Sequence, residues 1–127
     1  MSCVFCEIVA GRAGAEVVYE DDRTLAFLDT DPVAPGHCLV IPKMHFVNVI
    51  DAEEEILAGL IGAAKRVGGL LMVRYGATGF NILNASGRDA QQSVFHLHFH
   101  VIPRTGNDGL DLWIGRRHTV PGPRTRG

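Results

Sequence analysis

Long hydrophobic runs, an excess of basic charge and cysteine are what this sequence has little of. Its opening stretch, MSCVFCEIVAGR, carries neither a charged leader nor an apolar run long enough for a secretory or membrane-spanning segment. A cytoplasmic protein with no membrane partner is therefore expected. Lys and Arg number 12 against 14 Asp and Glu, a formal charge of −2. That leaves no broad positive field for a duplex nucleic acid, so any nucleotide recognised is a small one. Arg116, Arg117, Arg124 and Arg126 make the C-terminal end locally basic, but no aromatic residues interleave with them, which reads as a solvated tail. Three cysteines in a reducing compartment do not make a disulfide framework. Cys38, inside CLVI, reads as a small core residue. Cys3-x-x-Cys6 leaves zinc, redox chemistry or neither open.

What is present is the composition of one domain: 127 residues, 46% hydrophobic and 20% charged, with no long internal repeat. Alternation in VVYE (17–20) and TLAFLD (24–29), separated by Glu20-Asp21-Asp22-Arg23, predicts an antiparallel hairpin. CLVIP (38–42) reads as a buried strand closed by Pro42, GFNILN (79–84) as another, and FHLHFHVI (95–102) as a last one closed by Pro103. Between them Leu57, Leu60, Ile61, Ala64, Val67 and Leu71 recur at helical spacing. Asp51 with Glu54 predicts a capping box at the start, and Gly76 a stop. Glu53, Glu54 and Glu55 lie early and Lys65, Arg66 and Arg74 late, which suits the helix dipole. Gly68-Gly69 inside the helix costs roughly 1 kcal/mol per glycine against alanine, and a close approach of helix to sheet is the expected reason. This order of elements predicts an α+β fold with a sheet and one long helix on one of its faces. After Thr105 the Gly, Pro and Arg content suggests an extended tail in which Leu110, Leu112 and Trp113 dock.

Half of the six histidines fall in VFHLHFHVIPR (94–104). Side chains alternate along a strand, so His96, His98 and His100 share one face while Leu97, Phe99 and Val101 take the other. Neighbouring histidines are then about 7 Å apart at Cα and the outer two about 13 Å. One zinc ion can take two neighbours, but all three from a regular strand would stretch its coordination badly. Histidines in place of valine gain nothing in packing, and each needs a polar partner, so the run points to chemistry. The preceding loop, NASGRDAQQS (84–93), has the small and hydroxyl-bearing residues that can aim N–H groups at an anion over that face.

The His-x-His-x-His run, with FLD (27–29), GHCLVIPKMH (36–45), NILNASG (81–87) and QSVFHLHFHVIPR (92–104), resembles the histidine triad (HIT) superfamily. It is most similar to the small nucleotide-binding branch that hydrolyses purine nucleoside phosphoramidates. The resemblance covers roughly residues 3–104. It implies a five-stranded antiparallel sheet with one long helix, extended across a homodimer. Residues 1–104 would be the domain, its N-terminal zinc-binding segment included, and 105–127 the tail. His98 matches the nucleophile that attacks the α-phosphorus and becomes a nucleotidyl-histidine, which splits one displacement into two. His100 and His37 match the histidines that orient it and relay protons. Asp29 matches the acid that bonds the ribose hydroxyls, Asn84 and Ser93 match groups near sugar and phosphate, and Gln92 matches a phosphate neighbour. Phe5, Ile8, Phe27 and Leu39 are candidates for the purine slot, with ordinary core roles as the alternative. Gln91 stands where the family often has Gly before the Gln-Ser pair, which bears on loop geometry and leaving-group preference.

Family resemblance also bears on the N-terminal pair. His45 and His96 complete a Cys2His2 set with Cys3 and Cys6, similar to a zinc-binding bacterial subgroup. Such a set, with no open position, implies one structural zinc per chain and a chemical step that needs no metal. The implied activity is hydrolysis or nucleotidyl transfer on purine nucleoside phosphoramidates of AMP or GMP type. The alternatives are cleavage or phosphorolysis of dinucleoside polyphosphates, or a nucleotide-binding regulatory protein with residual catalysis. Trp113 and the tail would contact the partner's active site.

Overall fold

β-Branched and aromatic residues mark out the strands. The computed structural model describes residues 3–114; Met1, Ser2 and 115–127, with the four tail arginines, lie outside the described residues. Strands β1 (Val17–Glu20), β2 (Thr24–Leu28), β3 (Cys38–Pro42), β4 (Gly79–Leu83) and β5 (Phe99–Arg104) form one antiparallel sheet in the order β1-β2-β3-β5-β4. Asp21 closes the first hairpin by accepting the Arg23 and Thr24 amides at 2.9 and 2.8 Å, an Asx-type turn.

The two faces of the sheet do different work. Ala26, Cys38, Val40 and Val101 pack under the long helix α2 (Glu54–Tyr75), against Leu60, Ala63, Ala64, Val67 and Leu71. Leu25, Phe27, Leu39 and Ile41 point the other way and pack with Phe5 of a short helix, α1 (Val4–Val9). Because β2 and β3 are covered on both faces, their sequences read as continuous apolar runs. Full burial of a side chain such as Leu60, Leu71 or Leu97 contributes about 1.5–3 kcal/mol. Length and composition alone would let α2 cross a membrane; the packing of its apolar stripe on the sheet makes it the core helix. Ile61, expected on that stripe, is exposed.

Gly68 is where helix and sheet meet. A Cβ there would lie 2.4 Å from Cζ of Phe80 on β4, whereas one on Gly69 would meet nothing within 4 Å. Gly76 ends the helix at φ 66°, the left-handed conformation glycine adopts without penalty.

Three sequence expectations need correction. The residue capping α2 is Glu53, and its side chain makes no capping bond; the Asp51 carboxylate is occupied by the Val47 amide at 2.8 Å. β5 starts at Phe99 and runs through Pro103 to Arg104, so His96 and His98 precede the strand. Pro103 is tolerated because β3 pairs only with residues 99–101 of β5, leaving the Pro103 nitrogen with no ladder partner to lose. Trp113 is 74% exposed and does not dock on the described residues, while Leu110 and Leu112 are half-buried. Arg104 holds this segment through Asp108 at 2.7 Å and the Leu110 carbonyl at 2.6 Å.

Candidate active site

On the sheet face opposite α2 lies a cavity of about 740 Å³, within the range of small-molecule sites. Phe5 and Ile8 from α1, Phe27 from β2 and Leu39 from β3 supply its apolar walls, and Asp29, Ser93, His98 and His100 its polar groups. Alternation explains the arrangement. Phe27 pairs with Leu39 and Leu39 with His100, so one inward row crosses three adjacent strands. Phe5 sits edge-on to both Phe27 and His98, with ring centres 5.5 and 5.3 Å apart.

His98 is 4% exposed, and its Nδ1 lies 2.8 Å from the His96 carbonyl. A carbonyl only accepts, so Nδ1 carries the proton and the Nε2 lone pair is left free. Asn84 steadies this point from behind, donating from Nδ2 to the His98 carbonyl at 2.9 Å. His100 Nδ1 is 2.9 Å from His37 Nε2, which is 3.5 Å from Oδ2 of Asp29. Asp29 Oδ1 accepts the Asp31 amide at 2.9 Å, and the Val33 amide lies 3.2 Å from His37 Nδ1. Burial lowers the pKa of His100 to about 4, helped by His98 and His37 and opposed by Asp29. Burial also lowers that of His37, again against Asp29. Both imidazoles are neutral at pH 7.

A second constellation joins the N-terminus to the histidine run. Ligand atoms of Cys3, Cys6, His45 and His96 all lie within 4.8 Å of one another. His96 Nδ1 is 3.3 Å from Cys3 Sγ, 3.6 Å from Cys6 Sγ and 3.2 Å from His45 Nδ1, and Cys6 Sγ is 3.4 Å from His45 Nδ1. A tetrahedral zinc ion with bonds of ~2.0–2.3 Å separates its ligands by about 3.3–3.8 Å, so these residues fit it. His96 Nε2 lies 2.8 Å from the Pro42 carbonyl and must carry the proton, which turns the Nδ1 lone pair toward the thiols. Burial keeps His96 neutral, as a ligand must be.

Comparison with known proteins shows which family the chain belongs to. The HIT domain family matches residues 10–107. The chain belongs to the histidine triad (HIT) family. A HIT-like protein of Methanocaldococcus jannaschii is 44% identical over 118 residues, 93% of this chain and 91% of its own length. The Arabidopsis thaliana adenylylsulfatase HINT3 is 36% identical over 121 residues, 93% of this chain but 60% of its own length. Among solved structures, a zinc-bound histidine triad family protein from Mycobacterium smegmatis superposes with a TM-score of 0.85 at 43% identity, over 88% of this chain and 81% of that one.

Within this HIT fold the structure gathers Phe5, Ile8, Phe27, Leu39, Asp29, Ser93, His98 and His100 around one cavity, with His37 directly behind His100. It does not bring the side chains of Asn84 and Gln92 to that cavity. Gln92 is 5% exposed; Oε1 accepts the Gly87 amide at 2.8 Å, and Nε2 donates to the carbonyls of Val47 at 2.6 Å and Val94 at 3.1 Å. Every hydrogen-bonding direction of that amide except one lone pair is used in bracing the loop. Gln91, at φ 72°, is in the left-handed conformation that suits glycine. The amides of Asp31 and Val33 escaped sequence reasoning because a backbone group has no residue-type signature.

Proposed function

We propose that this HIT protein is a nucleotide hydrolase or nucleotidyltransferase that cleaves purine nucleoside phosphoramidates through a nucleotidyl-histidine at His98. The observation that carries this reading is the orientation of His98: a buried imidazole with its proton committed to a carbonyl and its Nε2 lone pair free. The purine enters the slot between Phe5, Ile8, Phe27 and Leu39, and Asp29 accepts from the ribose hydroxyls. Ser93 then lies beside the phosphate. Nε2 attacks the α-phosphorus and the phosphorus–nitrogen bond breaks, the amine leaving with a proton that His100, held by His37, passes on from solvent. Water then attacks the same phosphorus, releasing the nucleoside monophosphate and returning the lone pair to Nε2, while the proton of the water goes back to solvent by the same route.

Cys3, Cys6, His45 and His96 would hold one structural zinc per chain, which joins α1 to the segment that carries His98. The chemical step uses none of these ligands. The working unit in this reading is a cytoplasmic homodimer with the sheet extended across its two protomers. A second reading, cleavage of an anhydride at the α-phosphorus with sulfate or a further phosphate as leaving group, draws on the adenylylsulfatase name of the Arabidopsis relative; only the leaving group differs.

The experiment is AMP release from adenosine 5′-phosphoramidate, adenylyl sulfate and diadenosine tetraphosphate by the wild type and by His98→Asn. Turnover of the phosphoramidate that is lost in His98→Asn, with AMP binding kept, is expected. Equal turnover by a folded His98→Asn variant would refute the proposal, and faster cleavage of the sulfate or tetraphosphate would favour the second reading.

A further inference from the structure

We infer that the backbone amide of Val33 is a positioning group that sets the tautomers of the whole His37–His100 pair. An amide N–H can only donate, and this one is 3.2 Å from Nδ1 of His37. Nδ1 therefore holds a lone pair, and the single proton of neutral His37 sits on Nε2. That proton faces His100 Nδ1 at 2.9 Å, much closer than Asp29 Oδ2 at 3.5 Å. Donation to His100 Nδ1 makes that atom an acceptor and places the His100 proton on Nε2. One amide thus fixes the proton positions of two rings, and the ring that lines the cavity carries its N–H on Nε2.

Loop 29–37 is built to hold this amide in place. The His37 amide donates to the Ala34 carbonyl at 3.1 Å and the Asp29 amide to the His37 carbonyl at 2.9 Å, so the loop closes on itself. Two residues earlier in the same loop, the Asp31 amide holds the Asp29 carboxylate. The loop therefore orients the acid and the histidine together. Protonating His37 would set an Nδ1–H against the Val33 N–H, so the loop opposes the imidazolium.

The arrangement also decides between two uses of Asp29, His37 and His100, whose ligand atoms lie within 4.8 Å of one another. A cation at that point would need the lone pair of His37 Nε2. The Val33 amide commits that atom to a proton, so the cluster is a hydrogen-bond relay. That His100 offers its Nε2–H to the substrate rests on the proposed nucleotide chemistry; the tautomers themselves do not.

Two-bond 1H–15N correlation spectra of the zinc-loaded, nucleotide-free full chain, labelled with 15N-histidine, report each ring's tautomer. Neutral His37 and His100, both protonated at Nε2, are expected at pH 7. A His37 protonated at Nδ1 would overturn the inference, whatever the enzyme's activity. The second arm replaces Val33 by its α-hydroxy analogue, which exchanges the N–H for oxygen; Val33→Pro is the genetically simpler version. A mixed His37 tautomer is expected, with kcat reduced by up to about tenfold, as loss of one hydrogen bond allows, and KM little changed. A folded ester variant with unchanged tautomers would also overturn it.

Discussion

Replacing Gln92 by methionine tests whether that residue braces the loop or touches the phosphate. Methionine keeps the length and most of the volume of glutamine but loses the donor and the acceptor. Three hydrogen bonds disappear, to the Gly87 amide and to the Val47 and Val94 carbonyls. At about 0.5–1.5 kcal/mol net for each, the loss spans roughly 1.5–4.5 kcal/mol. Val47 is exposed, and Gly87 and Val94 are partly so, which lets water replace some of what is lost. The lower half of the range, about 2 kcal/mol, is therefore expected. In a domain of this size that lowers Tm by roughly 8 °C. Urea unfolding of the zinc-loaded protein reads the stability, and KM for adenosine 5′-phosphoramidate reads the site. A destabilised variant whose KM changes little would support the brace. Wild-type stability with a large rise in KM would refute it and return Gln92 to the phosphate.

The two adjacent glycines of α2 should respond with opposite sign. Gly68→Ala forces Phe80 to move and should destabilise by about 1–3 kcal/mol less the helical gain, whereas Gly69→Ala should stabilise by up to about 1 kcal/mol. Denaturation midpoints check both, and equal responses would mean that Phe80 yields freely. Cys3→Ser should remove zinc, measured by atomic emission, and lower Tm; full zinc content in that variant would show that Cys3 is not a ligand. Asp29→Ala should weaken AMP binding by about 1.5–3 kcal/mol, as for a charge-assisted hydrogen bond, in calorimetric titration. Unchanged affinity would remove Asp29 from the ribose.

Much of this architecture was legible because period-2 alternation assigns faces. β1 and β3 have the boundaries read from VVYE and CLVIP, and the split between Leu97, Val101 and the histidines is the one found. The start of β5 was not legible. His96 and His98 alternate as a strand would, yet Val40 is the last β3 residue to pair with β5, and beyond it the Phe46 carbonyl takes the Leu97 amide at 2.7 Å. Helix α1 is six residues long, too short to show a period, and its only signal was Cys-x-x-Cys: Cys3 Sγ accepts the Cys6 amide at 3.4 Å. Asp51 had the right residue type for a cap, but Val47 claims its carboxylate. The family resemblance likewise pointed to Gln92 and Asn84 as site groups; the partners of Gln92 are all backbone groups, and Asn84 is held by the His98 carbonyl and the Ser86 hydroxyl, pairings that no sequence motif displays.

The central claim is covalent chemistry at His98 Nε2, and rapid acid-free quenching of single-turnover reactions with adenosine 5′-phosphoramidate, followed by intact-mass and peptide mass spectrometry, tests it most directly. The account predicts a transient adenylyl adduct on one residue, His98, that decays at the rate of AMP release and is absent from His98→Asn. An adduct on another residue, or AMP release at full rate by a His98→Asn protein with no adduct at all, would contradict it.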